Sequence, residues 1–219
     1  MMFIDRTWFD RNHKRLGLRR KDPNDTRVFI EHIDFTRILE AVRNHIRQAL
    51  GFDVDLVRAY CVAGHPDPDT VALQSRNSAL RIVRGWNQVM RFPGVAVELY
   101  PYDYFGGQLY ETDDSDELQS ESTRRAPKEK CVDVALATKM LYLAALPAAY
   151  DIGVLVTGDR DFVPVLNAVR NLDKRTALAA ILALDSCSRE LKADGAATTL
   201  WDVPPLDLAP VLRAQFAQS

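Results

Sequence analysis

Apolar residues recur with two different spacings along the chain from residue 27 onward. Short runs rich in β-branched and aromatic residues, typical of strands, alternate with longer segments whose apolar positions repeat every three or four residues, as in helices. The strand-type runs cover residues 27–33, 54–64, 95–105, 152–158, 176–184 and 198–203. The helix-type segments cover residues 34–51, 70–92, 131–146, 161–172 and, more briefly, 186–194.

This alternation predicts an α/β protein. Because the strand-type runs are almost continuously apolar, both faces of the sheet are expected to be buried, which favours a three-layer α-β-α sandwich with a mostly parallel central sheet. We expect residues 27–203 to form this domain, with a basic N-terminal arm (1–26) before it and a C-terminal tail (204–219) after it. Residues 106–129 are polar and acidic, and predict a flexible loop inserted into the domain.

Composition and charge narrow the class of protein only a little. The chain has 219 residues, 47% hydrophobic and 26% charged, and its net charge of −2 provides no global positive field for nucleic acid. Residues 1–27 are locally basic, with eight Lys or Arg against four Asp, which fits either a solvated arm or a phosphate contact. The N-terminus is too charged for a signal peptide and no apolar run reaches 18 residues, so we expect a cytoplasmic protein without membrane contact.

Two motif classes are missing from the sequence. The three cysteines have no paired spacing, which argues against a disulfide framework or a zinc site. No Walker-type phosphate loop is present. Candidate chemistry must therefore come from other side chains.

The most informative stretch is "VLVTGDRDFVPVL", residues 154–166, where an apolar strand ends in two aspartates, Asp159 and Asp161. Two carboxylates about 5 Å apart repel by roughly 3 kcal/mol at an effective dielectric constant of about 20. Solvent, a helix N-terminus or a cation has to offset this repulsion. Asp161 alone is also well placed to cap the following helix.

Other acidic residues occupy equivalent positions. Glu31 and Asp34 follow the first strand-type run, and Asp133 lies in the first turn of the helix at 131–146. Since ligands of parallel sheets bind outside the carboxyl ends of the strands, these side chains are expected to converge with Asp159 and Asp161. Hard cations such as Mg²⁺ and Mn²⁺ prefer carboxylate oxygens, and such a cluster is suited to phosphodiester hydrolysis. Taken singly, each acid also has an ordinary explanation as a helix cap or surface charge.

The stretch "KCVDVALATKMLYLA…YDIGVLVTGDRDFVPVLNAVRN" resembles the NYN-domain family, a PIN-like ribonuclease fold that includes YacP-type and LabA-like proteins. The similarity extends over about residues 27–182, with "FIEHID" at the family's "F-I-D-G-x-N" strand. The matching residues of the second half are Lys130, Val132, Asp133, Asp151, Gly158, Asp159, Asp161, Phe162 and Pro164. The resemblance implies a ribonuclease dependent on Mg²⁺ or Mn²⁺, whose catalytic residues and metal ligands would be Glu31, Asp133, Asp159 and Asp161.

Three departures from the family pattern affect this expectation. Glu31 replaces an aspartate, Asp34 replaces an asparagine, and Lys139 stands where many members have another aspartate. Lys139 could neutralise the acidic cluster or contact the scissile phosphate. We accordingly expect Asp34, Lys139 and Arg160 to face the substrate.

The alternatives belong to other functional classes. One is an inactive module of the same fold that binds RNA or a protein partner. A homo-oligomer is also compatible with the sequence. The other is a phosphotransferase of the haloacid-dehalogenase type, because "DRDFV" fits its D-x-D motif. Only 58 residues follow Asp161, too few for the rest of that motif set.

Overall fold

The computed structural model describes residues 1–18, 33–65, 94–101, 131–182, 187–192 and 200–217. Its centre is a sheet of six strands in the order β3-β2-β1-β4-β5-β6, and every strand pair is parallel. The strands are β1 Met2–Asp5, β2 Ala59–His65, β3 Val95–Pro101, β4 Ile152–Val156, β5 Arg175–Ala180 and β6 Leu206–Asp207.

Helices cover both faces of this sheet. The α-helices are α1 Arg6–His13, α2 Phe35–Leu50, α3 Val132–Ala145, α4 Val163–Arg170, α5 Arg189–Lys192 and α6 Ala209–Ala217, with 3₁₀ turns at Lys14–Leu16 and Arg160–Phe162. α2 lines a cavity together with Met2 and Val154, which are register partners on one face. α3 places Lys139 over the ring of Tyr60 on the other face, where Tyr60 stacks on Phe3. The predicted three-layer α-β-α sandwich with a parallel sheet is confirmed.

The first strand differs from the prediction. β1, at residues 2–5, lies in the middle of the sheet between β2 and β4, and all four of its residues are buried. The expected basic arm is therefore wrong for this part of the chain. The run that was predicted as the first strand, 27–33, falls almost entirely on residues 19–32, which lie outside the described residues.

The physical reason is that the basic residues of this segment begin only after the strand. The letters before Asp5 are "MMFI", all apolar. The next charged residue, Arg6, is itself buried, and its guanidinium lies 5.1 Å from the ring centroid of Phe9 and 4.6 Å from that of Phe35. Cation–π contacts of this kind let a positive charge enter the core, so local basicity did not indicate an arm.

The C-terminal residues also belong to the fold. β6 pairs with β5, and Leu208, Ala209 and Leu212 are buried in the core, so the expected tail is wrong for residues 204–217. The strand predicted at 198–203 is not found in its described part, residues 200–203. Asp202 instead accepts a hydrogen bond from the backbone of Thr176 at 2.8 Å, which attaches this segment beside β5.

The remaining predicted elements agree with the structure to within five residues at their ends, except where the chain is not described; the largest difference is at β2, predicted from residue 54 and found from Ala59. The helix predicted at 70–92 and the acidic loop predicted at 106–129 lie outside the described residues. Within the described part, no helix is both long enough and apolar enough to cross a membrane.

The strand order determines where a ligand can bind. From β1 the chain adds β2 and β3 on one side, and β4, β5 and β6 extend the sheet on the other. The order therefore reverses between β1 and β4, and in parallel sheets the ligand crevice lies at such a point, outside the carboxyl ends of the strands. Asp5 ends β1, and Asp159 follows β4, so both reach this crevice.

Candidate functional site

A cavity of about 390 Å³ lies at the carboxyl ends of β1 and β4. Its walls come from β1, α1 with the following 3₁₀ turn, the start of α3 and the segment after β4. The lining residues are Asp5, Trp8, Arg11, Asn12, Arg15, Asp133 and Asp159. Three carboxylates from three separate elements thus face one space.

Asp5 is the most deeply placed of these carboxylates, with only 3% of its surface exposed. Its Oδ1 accepts a hydrogen bond from the backbone N–H of Trp8 at 3.0 Å, so Asp5 also caps the start of α1. Its Oδ2 accepts a hydrogen bond from the Thr157 hydroxyl at 2.8 Å. The carboxylate is therefore held in one orientation by donors from α1 and from the segment that follows β4.

Thr157 links Asp5 to the second carboxylate. This threonine is fully buried, and its Oγ1 accepts a hydrogen bond from the backbone N–H of Asp159 at 3.2 Å. Asp159 in turn accepts a hydrogen bond from the N–H of Asp161 at 3.0 Å and caps the 3₁₀ turn that follows. The cap predicted for Asp161 thus belongs to Asp159.

Asp133, in the first turn of α3, supplies the third carboxylate. Partial burial raises the pKa of this carboxyl, and repulsion from Asp159 and Asp161 raises the pKa further. Only the positive charge of Arg11 acts in the opposite direction. Asp161 does not line the cavity, but its charge reaches Asp133, so Asp133, Asp159 and Asp161 share one electrostatic environment with Arg11.

The donor set suits a hard cation, although no complete ligand geometry is present. Among the described residues, no group of three or more His, Cys, Asp or Glu side chains is arranged to hold a metal ion. Mg²⁺ characteristically keeps several waters and takes only one or two protein carboxylates. The mutual repulsion at Asp133 is what a divalent cation between the carboxylates would relieve, so the residues fit such an ion.

Replacing Asp133 with asparagine should stabilise the metal-free protein at neutral pH. The folded-state pKa of this carboxyl is raised, so its ionised form costs stability, and the cost develops as pH rises from the ordinary pKa of an aspartate through the raised value. Solvent screens this surface residue, so we expect less than about 1 kcal/mol and a melting temperature about 1–2 °C higher. Thermal melts in chelator from pH 3 to 8 measure this.

In those melts the difference between Asp133→Asn and the wild type should vanish at the acid end of the range. Adding Mg²⁺ should raise the melting temperature of the wild type more than that of the variant, because a ligand stabilises the form that binds it. A variant that melts at or below the wild-type temperature at pH 7 in chelator would show that Asp133 carries no uncompensated charge.

Lys139, predicted to neutralise the acidic cluster or contact the scissile phosphate, does not line the cavity and is paired with a residue of β3. Its Nζ lies 2.6 Å from Oε1 of Glu98 on β3 and 5.4 Å from the ring centroid of Tyr60. The hydrogen bond with Glu98 is the main reason that the pKa of Lys139 is raised. Lys139 follows Asp133 by six residues on α3, about 9 Å along the helix axis, and does not line the cavity. Its charge is therefore already paired elsewhere.

The other predicted site residues are also separate from the cavity. Arg160 is exposed in the 3₁₀ turn and does not contribute to the lining. Asp34 caps α2 by accepting a hydrogen bond from the N–H of Thr36 at 2.9 Å, and its own N–H donates to the side chain of Gln215 at 3.0 Å. Glu31 lies outside the described residues. Of the predicted set, the structure brings together Asp133 and Asp159, with Asp161 nearby.

Sequence reasoning missed the contribution of the N-terminal segment. Asp5, Trp8, Arg11, Asn12 and Arg15 all line the cavity, and none of them was predicted. A signal was available, because "FID" at residues 3–5 matches the family's first strand more closely than "FIE" at 29–31. The other four lining residues, Trp8, Arg11, Asn12 and Arg15, also follow the spacing of one helix face.

Comparison with known proteins gives one match. The sequence model of the NYN domain family matches residues 20–198, most of the chain, although this range begins after β1. No curated protein and no solved structure matched the chain. The all-parallel sheet with helices on both faces agrees with the PIN-like fold of that family. The chain belongs to the NYN domain family.

Proposed function

We propose that this protein is a metal-dependent ribonuclease that hydrolyses RNA phosphodiester bonds at the cavity between β1 and β4. The observation that carries the proposal is the convergence of Asp5, Asp133 and Asp159 on one space at the point where the strand order reverses. In this proposal Asp5 takes the position that was expected for Glu31. The cofactor is Mg²⁺ or Mn²⁺.

Each acidic residue has a separate task in this proposal. Asp5 and Asp159 form the fixed part of the ion site, because Thr157 hydrogen-bonds to both residues and restricts their movement. Asp133, in the first turn of α3, adds a third negative charge to the cavity. Asp161 does not line the cavity, and its charge adds to the negative potential. Bound Mg²⁺ or Mn²⁺ would lower the pKa of a water molecule and stabilise charge on the phosphate.

The position of Lys139 favours an active site over an inactive one. The main reason to expect inactivity was that a lysine replaces an acid six residues after Asp133. Because the Lys139 ammonium is paired with Glu98, it does not neutralise the carboxylates in the cavity. An RNA-binding module without activity is the alternative, and the same experiment distinguishes it.

The test is RNA cleavage with and without the ion. End-labelled single-stranded and hairpin RNAs are incubated with wild-type protein in Mg²⁺, in Mn²⁺ and in chelator. We expect cleavage in at least one metal and none in chelator. A parallel preparation of Asp159→Asn controls for contaminating nucleases. RNA that is bound but uncut under every condition would establish the binding module and overturn the nuclease.

A further inference from the structure

One face of α1 and its following 3₁₀ turn forms a wall of the cavity. Trp8, Arg11, Asn12 and Arg15 are spaced by three, four and seven residues, which places them on the same side of the helix. Trp8 and Asn12 are buried, whereas Arg11 and Arg15 are exposed. The wall therefore has a buried part and a solvent-exposed, positively charged part.

From this placement we propose that Arg11 and Arg15 bind two neighbouring phosphates of the RNA strand, with Arg11 nearer the scissile phosphate. The inference rests on the proposed function and adds to it the residues that hold the substrate. Arg11 and Arg15 thereby take the task expected of Lys139 and Arg160.

The charge of the cavity supports this assignment. Its lining carries three carboxylates and two guanidinium groups, a formal charge of −1. A single divalent cation changes that charge to +1, which attracts a phosphodiester carrying one negative charge. Without the arginines the loaded cavity would remain negative and would repel the substrate. The guanidinium is also the side chain best suited to phosphate, because its planar fork donates two parallel hydrogen bonds.

The order of the two arginines follows from their neighbours. Arg11 is one helical turn closer than Arg15 to Asp5, which immediately precedes α1, and its positive charge also acts on Asp133. Arg15 comes one helical turn later, and side chains at this spacing have Cβ atoms about 5–6 Å apart. This separation is comparable with that of successive phosphates along an extended strand. One phosphate can thus meet Arg11 and the ion site while the next meets Arg15.

The buried residues of the same face keep the arginines in position. The Asn12 side chain donates a hydrogen bond from Nδ2 to the Trp8 carbonyl oxygen at 2.7 Å. Asp5 caps the start of the same helix through the N–H of Trp8. α1 is therefore tied directly to a carboxylate of the site, and movement between the arginines and the acids is restricted.

The test measures RNA binding rather than cleavage. Kd for a labelled single-stranded RNA is measured in Ca²⁺ and in chelator at several salt concentrations. The variants are Arg11→Gln and Arg15→Gln, and the matched controls are Arg160→Gln and Lys139→Gln, which remove a positive charge outside the cavity. All substituted side chains are at least partly exposed, so we expect the variants to fold, and thermal melts check this.

Each cavity variant should weaken RNA binding in Ca²⁺ by about tenfold, the effect of losing one charge-assisted hydrogen bond. The slope of log K against log salt should fall by about 0.7, the value for one lost phosphate contact on a single strand. Arg15→Lys should restore the slope, because it restores the charge. The two controls should match the wild type in both affinity and slope.

The outcomes separate this inference from the proposed function. If wild type cleaves RNA but Arg11→Gln and Arg15→Gln bind it with wild-type affinity and slope, the arginine assignment is wrong and the nuclease stands. If wild type binds RNA without cutting it and the arginine variants lose binding, the assignment stands and the nuclease does not. Wild type that neither binds nor cuts RNA would overturn both.

Discussion

Asp5→Asn is expected to reduce RNA cleavage at least about 100-fold, whereas Glu31→Gln should leave cleavage within about threefold of wild type. Loss of one charged ligand, or of the hydrogen bonds that orient it, costs roughly this much in metal sites. Asp5 is the carboxylate at the end of the central strand, and its Oδ2 accepts a hydrogen bond from the Thr157 hydroxyl, whose oxygen in turn accepts one from the backbone N–H of Asp159. Initial cleavage rates in saturating Mn²⁺ measure both effects.

A stability measurement must accompany these rates, because Asp5 is buried and hydrogen-bonded. Asparagine keeps one oxygen that can still accept from the N–H of Trp8, but its amide group then faces the Thr157 hydroxyl. Thr157 would have to reverse its role from donor to acceptor. We therefore expect a stability change of about 1–3 kcal/mol at most, and assays are run well below the melting temperature. An inactive Glu31→Gln beside an active Asp5→Asn would return the first catalytic position to residues 27–33.

Gly158→Ala is expected to destabilise the protein by about 3 kcal/mol or more and to lower its melting temperature by about 6–12 °C. A Cβ atom at this position would lie 2.7 Å from Cε2 of Trp8 and 2.7 Å from the Cα of Cys187. The second neighbour is backbone and cannot turn aside. The carbonyl oxygen of Gly158 also accepts a hydrogen bond from the N–H of Ser188 at 2.8 Å, which holds the two segments together. Thermal and denaturant unfolding measure the loss.

The matched control is Gly153→Ala in β4. Its Cβ would meet the terminal methyl of Met140 at 3.1 Å and the ring of Tyr150 at 3.2 Å, and the methionine can move. We expect a loss of roughly 1 kcal/mol or less there. Since Trp8 lines the cavity, Gly158→Ala should also impair cleavage below its melting temperature. Equal stability of the two variants would show that Trp8 and Cys187 do not pack tightly against Gly158.

The parts of the site that could be predicted are those in which local sequence carries the signal. β4 is an apolar run followed three residues later by Asp159, and α3 is a long apolar helix with Asp133 in its first turn. The end of a strand and the start of a helix identify the ligand-binding edge of the sheet even when the neighbouring strands are not known. For the same reason the three-layer architecture followed from the alternation of spacings.

The first strand could not be decided by local pattern, because two runs carry nearly the same letters. "FID" at 3–5 and "FIE" at 29–31 both join apolar residues to an acid. The structure places residues 3–5 in the sheet through contacts between residues far apart in sequence, such as Asp5 with Thr157, 152 residues away, whereas 29–31 lie outside the described residues. Pairing at this range leaves no local signal.

Two further differences have the same origin. Lys139 was expected near the acids because its sequence position matched an acid of the family, but its partner is Glu98 on a distant strand. The cap of the turn after β4 is Asp159 and not Asp161, because the chain forms a 3₁₀ turn before α4 begins. A shift of two residues at the start of a helix has little effect on the overall fold, yet it changes which carboxylate accepts the capping hydrogen bond.

The most direct test of the proposed metal site is Mn²⁺ binding by calorimetry, with wild type beside Asp159→Asn. Asparagine can still accept the hydrogen bond from the N–H of Asp161, so the turn is retained while the charge is removed. Asp34→Asn is the matched control, because this residue caps α2 away from the cavity and asparagine caps helices equally well. We expect wild type and Asp34→Asn to bind Mn²⁺ and cleave RNA, and Asp159→Asn to lose at least about tenfold in affinity together with cleavage. Wild type that binds no Mn²⁺, or Asp159→Asn that binds and cleaves as wild type does, would contradict a catalytic metal site between β1 and β4.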